Sequence, residues 1–547
     1  MRLRVFNGEI PRLPADRLPE GYAALARNCD FAKGELRSLK GLGTEYLADA
    51  AARPVRGLFT DNGIRFFAWN KPTRAYLAPT IDDTIRRVYY QTHDAGVRVA
   101  QTDTMKTLAN QPGPPTESWA VGVTAPGIPA VAVSGSGAGD LETVSVVVVA
   151  INIWGEESAP SPPVTVERSR GQTITITLTH APTTGQVPLQ GLLVYRTYPS
   201  TQSADYYLLQ ETAFLPVTGN DFVIPDSSVE PQTAVVLTSA DWDLPPPSAG
   251  NLCYPGNGFF CVSTGKDLLF SEPYRPHAWP YRMTFPSGVV GVIEIEGGVL
   301  VTTQKASYMV LGSSPEQMTQ QFFPVKQAGV SDTAIAHVDG SAVYATNDGL
   351  ADIFGGQPSI SASQSLFQRE DWRSRYRSSL LNMRLAAHDG RVLALIDPSY
   401  PIAATAESFL LRLDEAEGSL SRVSPGTPLF SAVRADSTDT LYVGTTNGFA
   451  EFEGGASGLS MTWQSATIRY AAAVSFAGGR IRCTGTIQIE VLAAGVVRHT
   501  ETFSAGDNYF RLPTIEAETD WAVRFTGVGS VQLFDLGMSF AELRNNG

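Results

Sequence analysis

The chain has 547 residues, enough for about three to five domains of ordinary size and for large buried cores. Charged residues make up only 17% of it, against a usual share of ~25%, and 50 glycines with 36 prolines supply frequent reversals, the texture of a turn-rich β protein. With 41 basic against 54 acidic side chains the formal charge is −13, which argues against a protein that grips nucleic-acid phosphates by counterion release but leaves room for DNA passing nearby.

The first twenty residues carry Pro11, Pro14 and Pro19 among charged residues, so no secretory leader is expected, and the protein is taken to be made or assembled in the cytoplasm. The longest apolar run, Val144 to Ile151, is too short to cross a bilayer. A short apolar run, a small polar turn and a second apolar run recur along the chain. The first such hairpin is Gly63 to Trp69 with Ala75 to Leu77. Five more start near residues 258, 298, 341, 390 and 440, a spacing of β-propeller blades. Two are nearly superposable, Ala342 to Leu350 around Asn347-Asp348-Gly349 and Leu441 to Phe449 around Asn447-Gly448, and both turns are strong hairpin signals.

The expected fold is therefore all-β, a propeller of about six blades interrupted between the first and second hairpins. The interruption, residues 126–241, opens with Ala125-Pro126-Gly127-Ile128-Pro129 and a Ser/Gly linker from Ser134 to Gly139. Its strands, Thr143 to Trp154, Thr173 to Thr179, Gly191 to Thr197, Tyr206 to Gln210 and Asp221 to Ile224, resemble a fibronectin type III sandwich. After Gly455, alternating strands at Met461 to Tyr470, Thr484 to Leu492, Val496 to Phe503, Tyr509 to Leu512, Trp521 to Thr526 and Val531 to Phe540 predict a C-terminal β-sandwich. The domains then run 1–125 (N-terminal segment and first blade), 126–241 (insert), 242–455 (remaining blades) and 456–547 (C-terminal sandwich). One helix is expected, Ser363 to Arg384, carrying Arg369, Arg373, Arg375, Arg377 and Arg384. In an acidic chain these arginines, with Glu370 and Asp371 beside them, read as a solvated helix face before a DNA contact.

Four cysteines, Cys29, Cys253, Cys261 and Cys483, include no CxxC, and Cys253 and Cys261 read as two buried thiols facing each other across a hairpin. HExxH, GxSxG and a strand-to-helix GxGxxG are absent, and Thr264-Gly265-Lys266-Asp267 reads as a hairpin turn rather than a phosphate loop. The six histidines, at 93, 180, 277, 337, 388 and 499, never fall at metal-ligand spacing, and His337 and His388 look like equivalent blade turns. The carboxylate pairs Asp241/Asp243 and Glu294/Glu296 would serve a glycoside hydrolase if each lined one strand face, although solvated strand faces are commoner. No catalytic, cofactor or metal site is assigned, and the chain is expected not to be an enzyme.

Several stretches together resemble the tail nozzle of short-tailed bacteriophages, also called tail tubular protein B. They are Phe6-Asn7-Gly8, Leu13-Pro14, Leu18-Pro19, Ala23 to Ala26, Asn28 and Gly34-Glu35-Leu36 at the start. Then follow Leu269 to Pro280 (Leu-Phe-Ser-Glu-Pro-Tyr-Arg-Pro-His-Ala-Trp-Pro), Val299 to Thr303, Ser307-Tyr308, Gly312 to Met318, Asn347 to Leu350 and Phe510 to Pro513. The resemblance spans nearly the whole chain and implies a structural virion protein of the tail. It implies a homo-oligomeric ring, expected to be a hexamer, that meets adaptor, portal-side and fibre proteins and lets the genome pass its lumen without specific binding. The helix arginines would then face neighbouring subunits, near Asp414, Glu415 and Glu417. The alternative is a phage or secreted protein that binds or cleaves glycans, with Trp154, Tyr206 and Tyr207 as candidate sugar platforms.

Overall fold

The computed structural model describes residues 1–31, 34–80, 82–93, 95–180, 183–198, 205–209, 218–224, 235–322, 327–354, 357–359, 363–400, 407–412 and 419–545. Asp414, Glu415 and Glu417 lie outside them. Strands such as Gly298–Thr303, Ser341–Thr346 and Arg391–Ile396 are buried at all six positions. A strand covered on both faces belongs inside a stack of sheets, and the sheets here are small antiparallel meanders stacked around an axis.

The described residues form seven blades. Blade 1 is Gly57–Asp61, Arg65–Trp69 and Lys106–Thr107, and blade 2 is Thr73–Leu77, Arg87–Thr92, Arg98–Gln101 and Trp119–Ala120. Blades 3, 4 and 5 are four-stranded meanders beginning at Gly250–Cys253, Val289–Ile295 and Ile335–Val338. Blade 6 runs Met383–His388, Arg391–Ile396, Phe409–Arg412 and Ser419–Arg422. Blade 7 begins at Ser431–Ala435, and its fourth strand is Tyr46–Leu47 from the start of the chain, so the ring is latched by hydrogen bonds between the two ends of the propeller. Each first strand packs against the first strand of the next blade, and blade 7 against blade 1. Apolar clusters fill the spaces between blades, for example Phe66, Tyr442 and Phe449 between blades 1 and 7 and Leu300, Tyr344 and Ile353 between blades 4 and 5.

The five hairpins from residue 258 onward are the second and third strands of blades 3 to 7. The first hairpin divides differently. Arg65–Trp69 pairs with Gly57–Asp61, while Thr73–Leu77 opens a separate blade, so the ring has one blade more than the six hairpins counted. The link through Asn70 and Pro72 has the composition of a tight turn, and only the pairing partners reveal it as a step between blades.

The insert holds two facing sheets, Ala130–Ser134 with Thr173–Thr179 and Thr218–Ile224, and Val164–Arg170 with Ala138–Asn152, Leu189–Thr197 and Tyr206–Leu208. Val144, Val146, Val148, Ile174, Ile176 and Val194 fill the space between them. The Ser/Gly stretch 134–139 is the crossover between the sheets rather than a free linker. Gln210 lies outside the described residues.

The C-terminal strands form one curled sheet instead of two facing ones. Gly478–Ala493, Val496–Arg511 and Glu518–Gly537 are long strands into which the shorter expected strands merge. A Cβ on Gly529, at φ +146°, would come 1.9 Å from the Thr484 carbonyl oxygen, so glycine there lets two strands cross closely and the sheet bend without ending. The enclosed core gathers Trp463, Ile489, Trp521, Phe525 and Phe534. It also takes in Leu3, Phe6 and Leu36, because Arg2–Leu3, Ala23–Arg27 and Leu36–Ser38 are strands of this same sheet. These strands of the first forty residues thus belong with the C-terminal unit rather than with blade 1, while Ile10 packs between blades 5 and 6 and Leu39 against blades 6 and 7. Ala23–Arg27 also pairs in parallel with Ser419–Arg422, joining that unit to blade 6.

The helix is Arg369–Tyr376 alone, followed by a 3-10 turn at Leu380–Asn382 and the first strand of blade 6 from Met383. A shorter helix at Phe540–Asn545 was not foreseen. Trp372 and Tyr376 anchor the first helix in the cluster between blades 5 and 6. Arg369 and Arg373 reach Asp348 of the same chain, at 3.3 and 2.7 Å, so a partner for both lies within the subunit. Cys253 and Cys261 are direct cross-strand partners, and all four cysteines are buried free thiols.

Candidate functional site in the axial channel

The first strands of the blades leave a channel along the propeller axis. Its centre is a cavity of about 340 Å³, and its mouths measure about 680 and 770 Å³. The central wall carries Arg56, Arg74, Arg384 and Arg434 against Glu294 and Asp332. Four guanidiniums facing two carboxylates give this central cavity a formal charge of +2 inside a chain of net charge −13.

Arg56 and Arg384 stand at the mouth where the first strands begin, and Arg434 at the opposite one. Arg56 precedes the first strand of blade 1, and its Nε donates to Asp397 Oδ2 at 2.7 Å while a terminal nitrogen donates to Ser399 Oγ at 2.8 Å. Burial alone would raise the Asp397 carboxyl, but the bond from Arg56 and those donated by Ser399 hold it below its usual value. Arg74 of blade 2 reaches toward blades 4 and 5, donating to the carbonyls of Val292 and, at 2.5 Å, Asp332. His93 lies 3.4 Å from Asp332, and with Arg74 and Ser331 it outweighs burial and lowers that carboxyl too. Arg384 donates to the carbonyl of Arg56. Burial, more than nearby Asp397 can offset, pulls its guanidinium down to about 10. Gln91, Asn251 and Tyr400 complete this mouth.

Of the residues singled out by sequence, His93, Glu294, His337 and Arg384 face the channel, and Glu294 lies within 3.6 Å of the Cys253 thiol, which donates to it. Glu296 lies past the strand end, where its amide donates to Gly340, so the two do not share a strand face. Asp241 and Asp243 sit exposed on a turn around buried Trp242. Gly265-Lys266 is a two-residue hairpin turn. His337 and His388 both precede Asp-Gly turns between first and second strands, as expected of equivalent blade positions. Among the described residues no three histidine, cysteine or acidic side chains gather as a metal centre.

The proposed sugar platforms are packed instead. Trp154 meets Trp119 edge-on at 5.3 Å in the joint between insert and propeller, Tyr206 shares a hydrogen bond with Ser145, and Tyr207 packs on Tyr198. That joint is centred on buried Glu156, which accepts from Arg87 at 2.7 Å and Asn152 at 2.8 Å and lies 3.7 Å from His277. His277 comes from the Leu269 to Pro280 stretch, and burial with Arg87 and Arg275 nearby holds it neutral, down to about 3. Arg56, Arg74 and Glu156 escaped sequence reading because no local pattern marks them. A fixed blade register would have shown that Arg56 precedes one first strand and Arg384 lies at the start of another.

Strand order and pairing make this chain a seven-bladed β-propeller carrying an inserted sandwich and a curled C-terminal sheet. No family model and no curated protein matches it. Among solved structures it is similar to the WD40 repeats of RRP9, at 9% identity over 75% of this chain and 99% of that one, with a TM-score of 0.30. It is also similar to U3-55K, at 9% identity over 69% and 93% with a TM-score of 0.29. A third is apo AztD from Citrobacter koseri, at 14% over 52% and 96% with a TM-score of 0.22. Scores this low carry no argument about function. No described helix is long and apolar enough to cross a membrane.

Proposed function

We propose that the chain is a structural subunit of a short bacteriophage tail, forming a closed homo-oligomeric nozzle ring through which the genome leaves. The observation that supports this reading is how firmly the three bodies are fastened. Ala23–Arg27 is shared between the C-terminal sheet and blade 6, and buried Glu9 reinforces it by accepting from Ala26 N and pairing with Arg422 at 3.0 Å. The insert is clamped to blade 2 through Arg87 and Glu156. A subunit of fixed shape with several outward surfaces suits cyclic assembly, in which small angular errors would keep the ring from closing. DNA would run along the ring axis, since the propeller channel is far too narrow for a duplex.

Electron microscopy of the purified full-length protein, and of particles from an infected host probed with an antibody to it, tests the proposal. Closed rings, expected to hold six copies, and labelling at the tail tip are the outcome it requires. A monomer at every concentration together with unlabelled particles would overturn it. The same reading expects weak DNA binding without sequence preference, and no hydrolysis of host polysaccharide.

A further inference from the structure

We propose that the channel mouth formed by Arg56, Arg384, Lys71 and Tyr400 binds an acidic sugar, one bearing a carboxylate or phosphate group. The inference is independent of the tail assignment. Three cations line this mouth of about 680 Å³ against two carboxylates, and both carboxylates are already engaged, Asp397 by Arg56 and Asp332 by His93. Arg384 has a different setting. It donates to a neutral carbonyl, that of Arg56, inside a wall that desolvates its charge. A guanidinium withdrawn from water and bonded to a neutral acceptor gains most from an arriving anion, because charge-assisted bonds are the stronger kind and strengthen further away from bulk water.

The rest of the lining narrows the class of anion. Asn70 and Asn382 are side-chain amides able to donate to and accept from hydroxyl groups, while the buried Gln91 amide donates to the Thr92 and Ala95 carbonyls behind the wall. Asn251 is also buried, its amide nitrogen donating to Ser263 Oγ at 2.8 Å and to the Val290 carbonyl, while its carbonyl oxygen has no donor among the described residues. Tyr400 stands 49% exposed at the rim, where a ring can cover the apolar face of a sugar. Cations, amides and one aromatic ring in a single mouth fit a hydroxylated acid better than a bare inorganic ion.

The experiment uses full-length protein, with saturation-transfer NMR and thermal-shift titration against glucuronate, glucose 6-phosphate, glucose and inorganic phosphate, each to about 10 mM, a range suited to one weak site. Both acids are expected to bind, with glucose and inorganic phosphate at least about tenfold weaker. Arg384→Gln keeps a donor toward the Arg56 carbonyl and should weaken both acids about tenfold or more. Tyr400→Ser, at an exposed position that leaves the wall intact, should weaken both as well, while Arg434→Gln toward the far end should not. The proposal is overturned if neither acid binds, if glucose or phosphate binds as tightly as the acids, or if both the Arg384 and Tyr400 variants bind like the native protein.

Discussion

Arg87 and Glu156 hold the insert against the propeller, yet removing one should cost far more than removing the other. Arg87 serves two carboxylates, donating to both oxygens of Asp83 at 3.1 Å and to Glu156 at 2.7 Å. Burial lowers its charge affinity, but Tyr89, Asp83 and Glu156 more than restore it. Glu156, 6% exposed, has one cation, and burial raises its carboxyl above the usual range despite Arg87 and Asn152. The guanidinium gains from the pair and the carboxylate does not recover its desolvation. Glu156→Gln keeps an oxygen and leaves Arg87 on Asp83, so the expected loss is about 1 kcal/mol. Arg87→Met strands a buried charge beside Asp83 and should cost about 3 to 5 kcal/mol at neutral pH. The stranded group is an acid whose folded value is raised, so its stability contribution is present at low pH and lost as pH rises. The Arg87→Met deficit should therefore shrink between about pH 7 and pH 5, while that of Glu156→Gln should not. Buried His277 also faces Glu156, with Arg275 near that histidine, but both carry over unchanged in the two variants. Urea unfolding followed by tryptophan emission reads both effects, since Trp119 and Trp154 lie in the joint. Equal losses for the two variants, or an Arg87→Met deficit independent of pH, would refute the asymmetry.

Gly448→Ala should unlatch the ring, because the new Cβ would sit 1.9 Å from the Tyr46 carbonyl oxygen; faster proteolysis within blade 7 than within blade 4 is the expected signature. In the native protein none of the four cysteines should react with a disulfide reagent within minutes, since all are buried and burial raises the Cys29, Cys253 and Cys483 thiols, whereas all four should react in denaturant. Hydrogen bonds from Arg480, then Arg482, hold Asp507 at about 2. A lowered acid contributes stability above its usual value and loses it as pH falls, so Asp507→Asn should destabilise the C-terminal sheet at pH 5 and match the native protein near pH 2, as thermal melts would show.

The strands themselves were legible because burial on both faces of a blade demands continuous apolar runs, and reversals demand Asn-Gly and Asp-Gly turns. The hairpins at Ala342 to Leu350 and Leu441 to Phe449 could be aligned by eye and do occupy equivalent places in blades 5 and 7. The same local rules misled at Asn70 to Pro72, where a link between blades has the composition of a turn, and at Ser363 to Arg384, where a helix of eight residues gives way to the next strand. Ser504 to Asp507 and Gly527 to Ser530 look like strand ends because glycine and small polar residues weaken a strand in isolation. In the folded sheet they are bends inside strands of 16 and 20 residues, since the neighbouring strand supplies the hydrogen bonds that local propensity lacks. What tertiary structure alone decided is every contact between distant stretches. Tyr46–Leu47 closes blade 7, Ala23–Arg27 joins a sheet more than 400 residues away, as its Arg27 to Thr462 pairing shows, and Arg56, Arg74 and Arg384 converge on one channel. Short-range sequence encodes which faces must be buried, but the partner that buries them is chosen by the closure of the whole ring.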